Sequence, residues 1–202
     1  MNNQEIEIEF KNLLTFEEFT ALCSHFNVNS EDFFSQENLY FDTPSFSLKE
    51  KRCALRIRQK GDEFTLTLKQ PAAKGLLETH QKISKEEKRI MCHEAQGIPN
   101  GLIADILEKE FQIDPTSVTY FGSLQTNRVE FSYQNGLLVL DESHYLETSD
   151  FELEYEVSNY EEGEKHFLNL LKENNIPIRE TKNKIARFYD RKICRLNEKE
   201  GE

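Results

Sequence analysis

The 202-residue chain has few of the residues that punctuate or staple a fold. Its five prolines and eight glycines are scattered, which excludes a flexible linker or a low-complexity tract. The four cysteines, Cys23, Cys53, Cys92 and Cys194, include no C-x-x-C pair. That spacing argues against a zinc site and leaves reduced thiols as the expectation, three of them in apolar packing. No stretch reaches the about 18 apolar residues of a membrane-crossing helix, and the first residues are polar and acidic. Neither a membrane span nor a secretory signal is therefore expected, and the expected compartment is the cytoplasm. Basic residues are in deficit: 25 Lys and Arg against 37 Asp and Glu leave a net charge of −12. Nonspecific nucleic-acid binding needs a basic surface and is excluded as a function, though a local basic site is not.

What is present is enough for a sizeable core: 37% hydrophobic residues, with 15 Phe and 7 Tyr. Charged residues make up 31% of the chain but form no single tract, so the expectation is one folded domain over residues 1–202. Period-two alternation, the mark of a half-buried strand, recurs along it. It begins in EIEIEFK (5–11) and returns in ENLYFDTP (37–44), CALRIRQK (53–60), EFTLTLKQ (63–70) and LLETHQKIS (76–84). It resumes in VTYFGSLQTNRVEFSYQ (118–134), LLVLDES (137–143) and DFELEYEV (150–157). Gly61-Asp62 and Asn135-Gly136 are hairpin turn signals between neighbouring runs.

Helical periodicity occupies 15–26, 84–95, 101–111, 160–174 and 183–197. The first two carry capping boxes, Thr15 with Glu18 and Ser84 with Glu87. Eight mostly hairpin-connected strands are the number that closes a small antiparallel barrel.

The polar faces of the strands are sorted by sign. Glu5, Glu7, Glu9 and Lys11 share a face of the first strand, and Glu152, Glu154 and Glu156 a face of the last. Arg56, Arg58 and Lys60 share a face of the third strand, with Lys69 on the fourth and Arg128 on the sixth. Like charges side by side on a strand cost stability, so a cation for the carboxylates and an anion for the guanidinium groups would compensate. The amphipathic helices need an apolar surface to cover. If they coat the apolar strand faces from outside, the charged faces line the inside. The expected fold is thus α+β: an eight-stranded antiparallel β-barrel, or tunnel, with a charged interior and helices packed on its exterior. Glu78, His80 and Lys82 share a face of the fifth strand that also looks inward. For His80 a hydrogen-bonded polar role outweighs a catalytic one.

These residues resemble the CYTH superfamily, the triphosphate tunnel metalloenzymes. The resemblance rests on E-x-E-x-K at Glu7, Glu9 and Lys11, on Tyr40-Phe41-Asp42-Thr43-Pro44, on Leu55-Arg56-Ile57-Arg58, on Leu68-Lys69, Arg128 and Leu140-Asp141, and on Glu154-x-Glu156 followed by Ser158. It spans essentially the whole chain and is greatest with the stand-alone proteins of Gram-positive bacteria. It implies a tunnel that binds a triphosphate with Mg²⁺ or Mn²⁺. Glu7, Glu9, Asp141, Glu152, Glu154 and Glu156 would be the metal ligands, with Glu5 extending the acidic row. Lys11, Arg56, Arg58, Lys69, Arg128, Lys184 and Arg187 would hold the phosphates, and Glu7, Glu9 and Lys11 would act in catalysis.

The implied activity is metal-dependent hydrolysis of inorganic tripolyphosphate or of a nucleoside or thiamine triphosphate. Two alternatives keep the same site: an adenylyl cyclase of the class IV type, or a binding module that senses triphosphates, polyphosphate or signalling nucleotides without turnover. The partner in each case is a small molecule, and monomer and dimer both stay open.

Overall fold

The computed structural model describes residues 3–94 and 96–200, with backbone only for 196–200. Ala95, expected as the last residue of a helix, lies outside the described residues. The strands are β1 (Gln4–Leu14), β2 (Phe34–Asp42), β3 (Ala54–Lys60), β4 (Glu63–Pro71), β5 (Leu76–Ile83), β6 (Thr119–Tyr133), β7 (Gly136–Tyr145) and β8 (Thr148–Val157). They close into a barrel in the order β1-β5-β4-β3-β2-β6-β7-β8. The helices are α1 (Phe16–His25), α2 (Ser47–Glu50), α3 (Lys85–His93), α4 (Leu102–Lys109), α5 (Tyr160–Glu173) and α6 (Lys184–Glu200). No helix among the described residues is long and apolar enough to cross a membrane. The chain divides into two compact units: Met1–Glu7 with Gln36–Ser123, and Ile8–Ser35 with Leu124–Glu202.

In the first unit the β3–β4 hairpin turns at Gly61-Asp62, with Gly61 in the left-handed region at φ +60. Its register sets Leu55 opposite Leu68 and Ile57 opposite Leu66, and all four are fully buried. They join Met91 of α3 and Ile103, Ile106 and Leu107 of α4 in one core. Burying each such side chain is worth about 1.5–3 kcal/mol, so the apolar faces of β3 and β4 are committed to the helices. Arg56 and Arg58, opposite Thr67 and Thr65, take the other face. In a closed sheet whose outer face is covered by helices, that face is the lining.

Asp42, inside the Tyr-Phe-Asp-Thr-Pro motif, is 2% exposed and acts on the backbone. Its carboxylate accepts from the amides of Thr43 (2.7 Å), Leu48 (2.9 Å) and Lys49 (3.1 Å). It thereby closes the turn after β2 and starts the short helix α2, which periodicity did not announce.

The second unit repeats the arrangement. Leu138, Leu140, Leu153 and Tyr155 pack with Phe19 and Leu22 of α1 and Phe167, Leu170 and Leu171 of α5. The Thr15–Glu18 capping box forms as expected. The turn expected at Asn135-Gly136 falls one residue earlier. Tyr133 pairs with Gly136, the turn is Gln134-Asn135, and Gln134 takes the positive φ of 50. Gly136 is needed for closeness instead: a Cβ there would stand 2.5 Å from the Glu156 carbonyl oxygen and 2.6 Å from the Tyr155 ring. Three cysteines, Cys23, Cys53 and Cys92, sit in or against these cores, and Cys194 is exposed.

Candidate functional site

The lining of the first unit brings Lys69 and Arg56 beside Glu7 and Glu78. Lys69 faces Glu78 across the β4–β5 ladder; its ammonium pairs with Glu78 and lies 2.6 Å from Glu7 Oε2. Glu78 is 4% exposed. Burial opposes its charge, but Lys69 and then Arg56 overcome this and hold its carboxyl down at about 2. Arg58 Nε donates to Asn38 Oδ1 at 3.3 Å. The buried Nε of Arg56 has no hydrogen-bond partner among the described residues.

Next to this group, register sets Glu5 directly opposite Glu78 on β1 and β5, an unfavourable pairing of like charges. His80 mediates it: its Nε2 lies 3.1 Å from Glu5 Oε1 and 3.5 Å from Glu78 Oε2, while Nδ1 bonds Thr67 Oγ1 at 3.0 Å. His80 is thus hydrogen-bonded, as its strand position led one to expect. Lys82 pairs with Glu63 in an exposed contact of 3.8 Å.

The lining of the second unit is an ionic network drawn from β1, β6, β7, β8 and α6. On β1, Lys11 pairs with Glu9, and its Nζ donates to Asn183 Oδ1 at 2.6 Å. In the β1–β8 register Lys11 is opposite Glu154, and Glu9 opposite Glu156. Burial would lower the Lys11 ammonium's pKa, but Glu9, Glu154 and Glu152 hold it above the ordinary lysine value. Arg128 forks onto Asp141 through Nε (2.8 Å) and Nη2 (2.6 Å), and Nη2 also reaches Glu154 at 2.8 Å. This bidentate geometry is what β6–β7 pairing of Arg128 with Asp141 delivers.

From α6, Lys184 Nζ lies 2.8 Å from Asp141, 2.9 Å from Glu152 and 2.5 Å from Glu154. Arg187 reaches Glu152 at 2.5 Å and Asp150 at 2.9 Å. Burial works against both cations; Asp141, Glu152 and Glu154 nevertheless raise Lys184 well above its usual range, and Glu152 and Asp150 raise Arg187. Burial also works against the Glu154 carboxylate, and Lys184, Arg128 and Lys11 pull its carboxyl well below the carboxylate range.

Glu7, Arg56, Arg58 and Lys69 thus belong to one group, and Glu9, Lys11, Arg128, Asp141, Glu152, Glu154, Lys184 and Arg187 to another. Glu156 is half-buried at the Glu9 pairing position. One member, Asp150, and one convergence, that of Glu5, Glu78 and His80, escaped the sequence reading. Asp150 extends the even-numbered acidic face of DFELEYEV by one position, so the alternation already carried its signal. The Glu5–Glu78–His80 convergence had none, since it depends on β1–β5 register.

The donor chemistry bears on metal. Asp141, Glu152 and Glu154 are hard oxygen ligands of the type Mg²⁺ and Mn²⁺ take. Glu152 Oε1 is buried with no hydrogen-bond partner among the described residues, an acceptor free for a cation. The donor type of these residues thus suits a divalent ion, while the group of three whose ligand atoms lie within 4.8 Å of one another among the described residues is Glu5, Glu78 and His80.

A closed eight-stranded antiparallel barrel with six helices among the described residues is the α+β tunnel class of fold. The CYTH domain family matches residues 5–189, and the chain belongs to that family. It is 50% identical over 190 residues, 94% of this chain and 97% of the relative, to a Bacillus subtilis protein named "Putative triphosphatase YjbK". It is similar to the solved structure of a "putative adenylate cyclase" from Bacillus halodurans, with 42% identity, TM-score 0.87, and coverage of 93% of this chain and 99% of that one. A Hippeastrum protein, HpAC1, whose structure is described as revealing a dominant triphosphatase activity, shares the fold at TM-score 0.71 and 23% identity over 92% of this chain and 96% of its own.

Proposed function

We propose that the protein is a divalent-metal-dependent triphosphatase that releases orthophosphate from inorganic tripolyphosphate, or from a nucleoside or thiamine triphosphate, in the cytoplasm. One observation carries the reading. The lining holds a buried guanidinium N–H without an acceptor, on Arg56, and a buried carboxylate oxygen without a donor, on Glu152. Buried polar atoms left unbonded cost about 1–3 kcal/mol each, and a phosphate oxygen and a metal ion are the partners those two atoms lack. The names of YjbK and of HpAC1 point the same way for those proteins.

In this reading Arg56, Arg58, Lys69, Lys11 and Arg128 grip phosphate oxygens, with Lys184 and Arg187 assisting. Guanidinium forks suit that geometry and stabilise the charge that spreads over the transferred phosphoryl group. Glu7, Glu9, Asp141, Glu152, Glu154 and Glu156 are the candidate Mg²⁺ or Mn²⁺ ligands. A bound metal neutralises phosphate oxygens and acidifies water. A glutamate of the acidic row, Glu7 or Glu9, orients the attacking water or takes its proton. Lys11 then has a positioning part through its pair with Glu9.

The test is phosphate release from tripolyphosphate, ATP and thiamine triphosphate with Mg²⁺ or Mn²⁺, beside the Glu7→Ala/Glu9→Ala double variant. We expect metal-dependent release by the wild type and at least about a hundredfold loss in the variant, the scale of a removed transition-state contact. Formation of cyclic nucleotide and pyrophosphate from ATP would support a cyclase instead. Triphosphate binding that survives the double variant, with hydrolysis by neither protein, would make it a sensor.

A further inference from the structure

Lys184 is the first residue of α6, where the positive end of the helix dipole disfavours a cation. Its ammonium is nevertheless buried, its side chain 10% exposed, and three carboxylates surround it at 2.5–2.9 Å. Those carboxylates, Asp141, Glu152 and Glu154, are 0%, 1% and 6% exposed. Three carboxylates so deep in the protein stay ionised together only with cations among them. Arg128 and Arg187 supply two, from positions at the edge of the trio: Arg128 does not bond Glu152, and Arg187 reaches Glu152 and Asp150. Among the described residues, Lys184 alone contacts all three.

We propose that Lys184 is a built-in counter-cation that competes with a divalent metal ion for the Asp141–Glu152–Glu154 carboxylates, so that metal loading requires the first turn of α6 to withdraw. The inference rests on the metal-dependent reading above and adds to it a cost of loading, set by one residue. It also gives the helix a reason to begin where it does. Asn183 accepts from Lys11 and Arg187 holds Glu152 and Asp150, so the start of α6 is tied to the lining by side chains that a ligand can replace one at a time. A triphosphate would supply the anion for Lys184, Lys11 and Arg187 while metal takes the carboxylates. Metal and triphosphate then favour each other's binding, each releasing the partner the other needs.

The experiment measures binding of Mn²⁺ alone, without triphosphate, to the full chain, reading free Mn²⁺ by electron paramagnetic resonance. Lys184→Gln should bind at least about tenfold more tightly than wild type. Lys109→Gln, which removes an exposed pair with Asp105 on α4, should not differ from wild type. Equal or weaker binding by folded Lys184→Gln overturns the inference while leaving the metal reading intact. Failure of wild type and Lys184→Gln alike to bind Mn²⁺ overturns both. Should Lys184→Gln not fold, hydrogen exchange on the wild type decides. Saturating Mn²⁺ should accelerate amide exchange in the first two turns of α6 several-fold, and unchanged exchange with Mn²⁺ bound overturns the inference.

Discussion

The two units line their strands with the same residue types and use them in opposite ways. In the unit of β3, β4 and β5, Lys69 divides its charge between Glu7 and Glu78 while the Arg56 Nε stays unbonded. In the unit of β6, β7 and β8, each of Asp141, Glu152 and Glu154 is met by at least two cations. The first lining leaves a buried guanidinium N–H unbonded among the described residues. The second is largely neutralised from within, by Arg128, Lys184 and Arg187. Buried ion networks are poor sources of net stability, but breaking one partner out of them is costly, and that asymmetry separates the two units experimentally.

The largest effect on stability is expected from Arg128→Met, which leaves Asp141 and Glu154 short of their forked partner. Chemical denaturation should show a loss of about 3–5 kcal/mol. A loss under 1 kcal/mol would mean that Lys184 alone neutralises the cluster and that the two linings do not differ as described.

Next comes the pH dependence of Glu78. Its carboxyl is depressed to about 2 in the folded protein from an ordinary 4.5, so the stability it contributes is complete above about 4.5 and lost as pH falls through about 2. That contribution is on the order of 3 kcal/mol. Unfolding free energies of wild type and Glu78→Gln, taken across that window, should converge toward acid. Parallel curves would show that Glu78 is not held by Lys69 and Arg56.

Removing the α1 cap with Thr15→Ala should cost about 1 kcal/mol. It serves as the benchmark for a structural residue outside either lining, and its triphosphate binding should not change. Smallest in stability is Arg56→Ala, which removes repulsion from Arg58 and an unbonded N–H. The melting temperature should move by no more than about 2–4 °C, while tripolyphosphate affinity measured calorimetrically falls at least about tenfold. A large drop in melting temperature would show that the attraction of Arg56 for Glu78 outweighs the relief of its repulsion from Arg58.

How much was readable beforehand follows from the physics of each feature. All eight strands and both capping boxes were legible, because alternation and cap spacing act over a few residues. So was the set of charged faces, since period two assigns a side chain its face wherever the strand pairs. The turn at Gln134-Asn135 was misplaced by one residue because Asn-Gly is a strong local signal. Gly136 answers instead to a contact with Tyr155, 19 positions away in sequence. The β7–β8 turn, Leu146-Glu147, holds both residues at positive φ, 45 and 59, with neither glycine nor asparagine to announce it. Asp42 looked like a motif residue and proved to be a cap for a helix that has only four residues.

By itself, then, the sequence determined which residues could be charged neighbours: alternation put glutamates, arginines and lysines on common strand faces and gave the helices apolar stripes to bury. Only the tertiary structure decided which of those charges meet. Register set Glu5 against Glu78 and Arg128 against Asp141, and the docking of α6 brought Lys184 into three carboxylates from strands closed more than 25 residues earlier. The reason is range. Faces are fixed by backbone geometry within a strand, whereas ion pairs depend on distances that exist only once the strands and the last helix are in place.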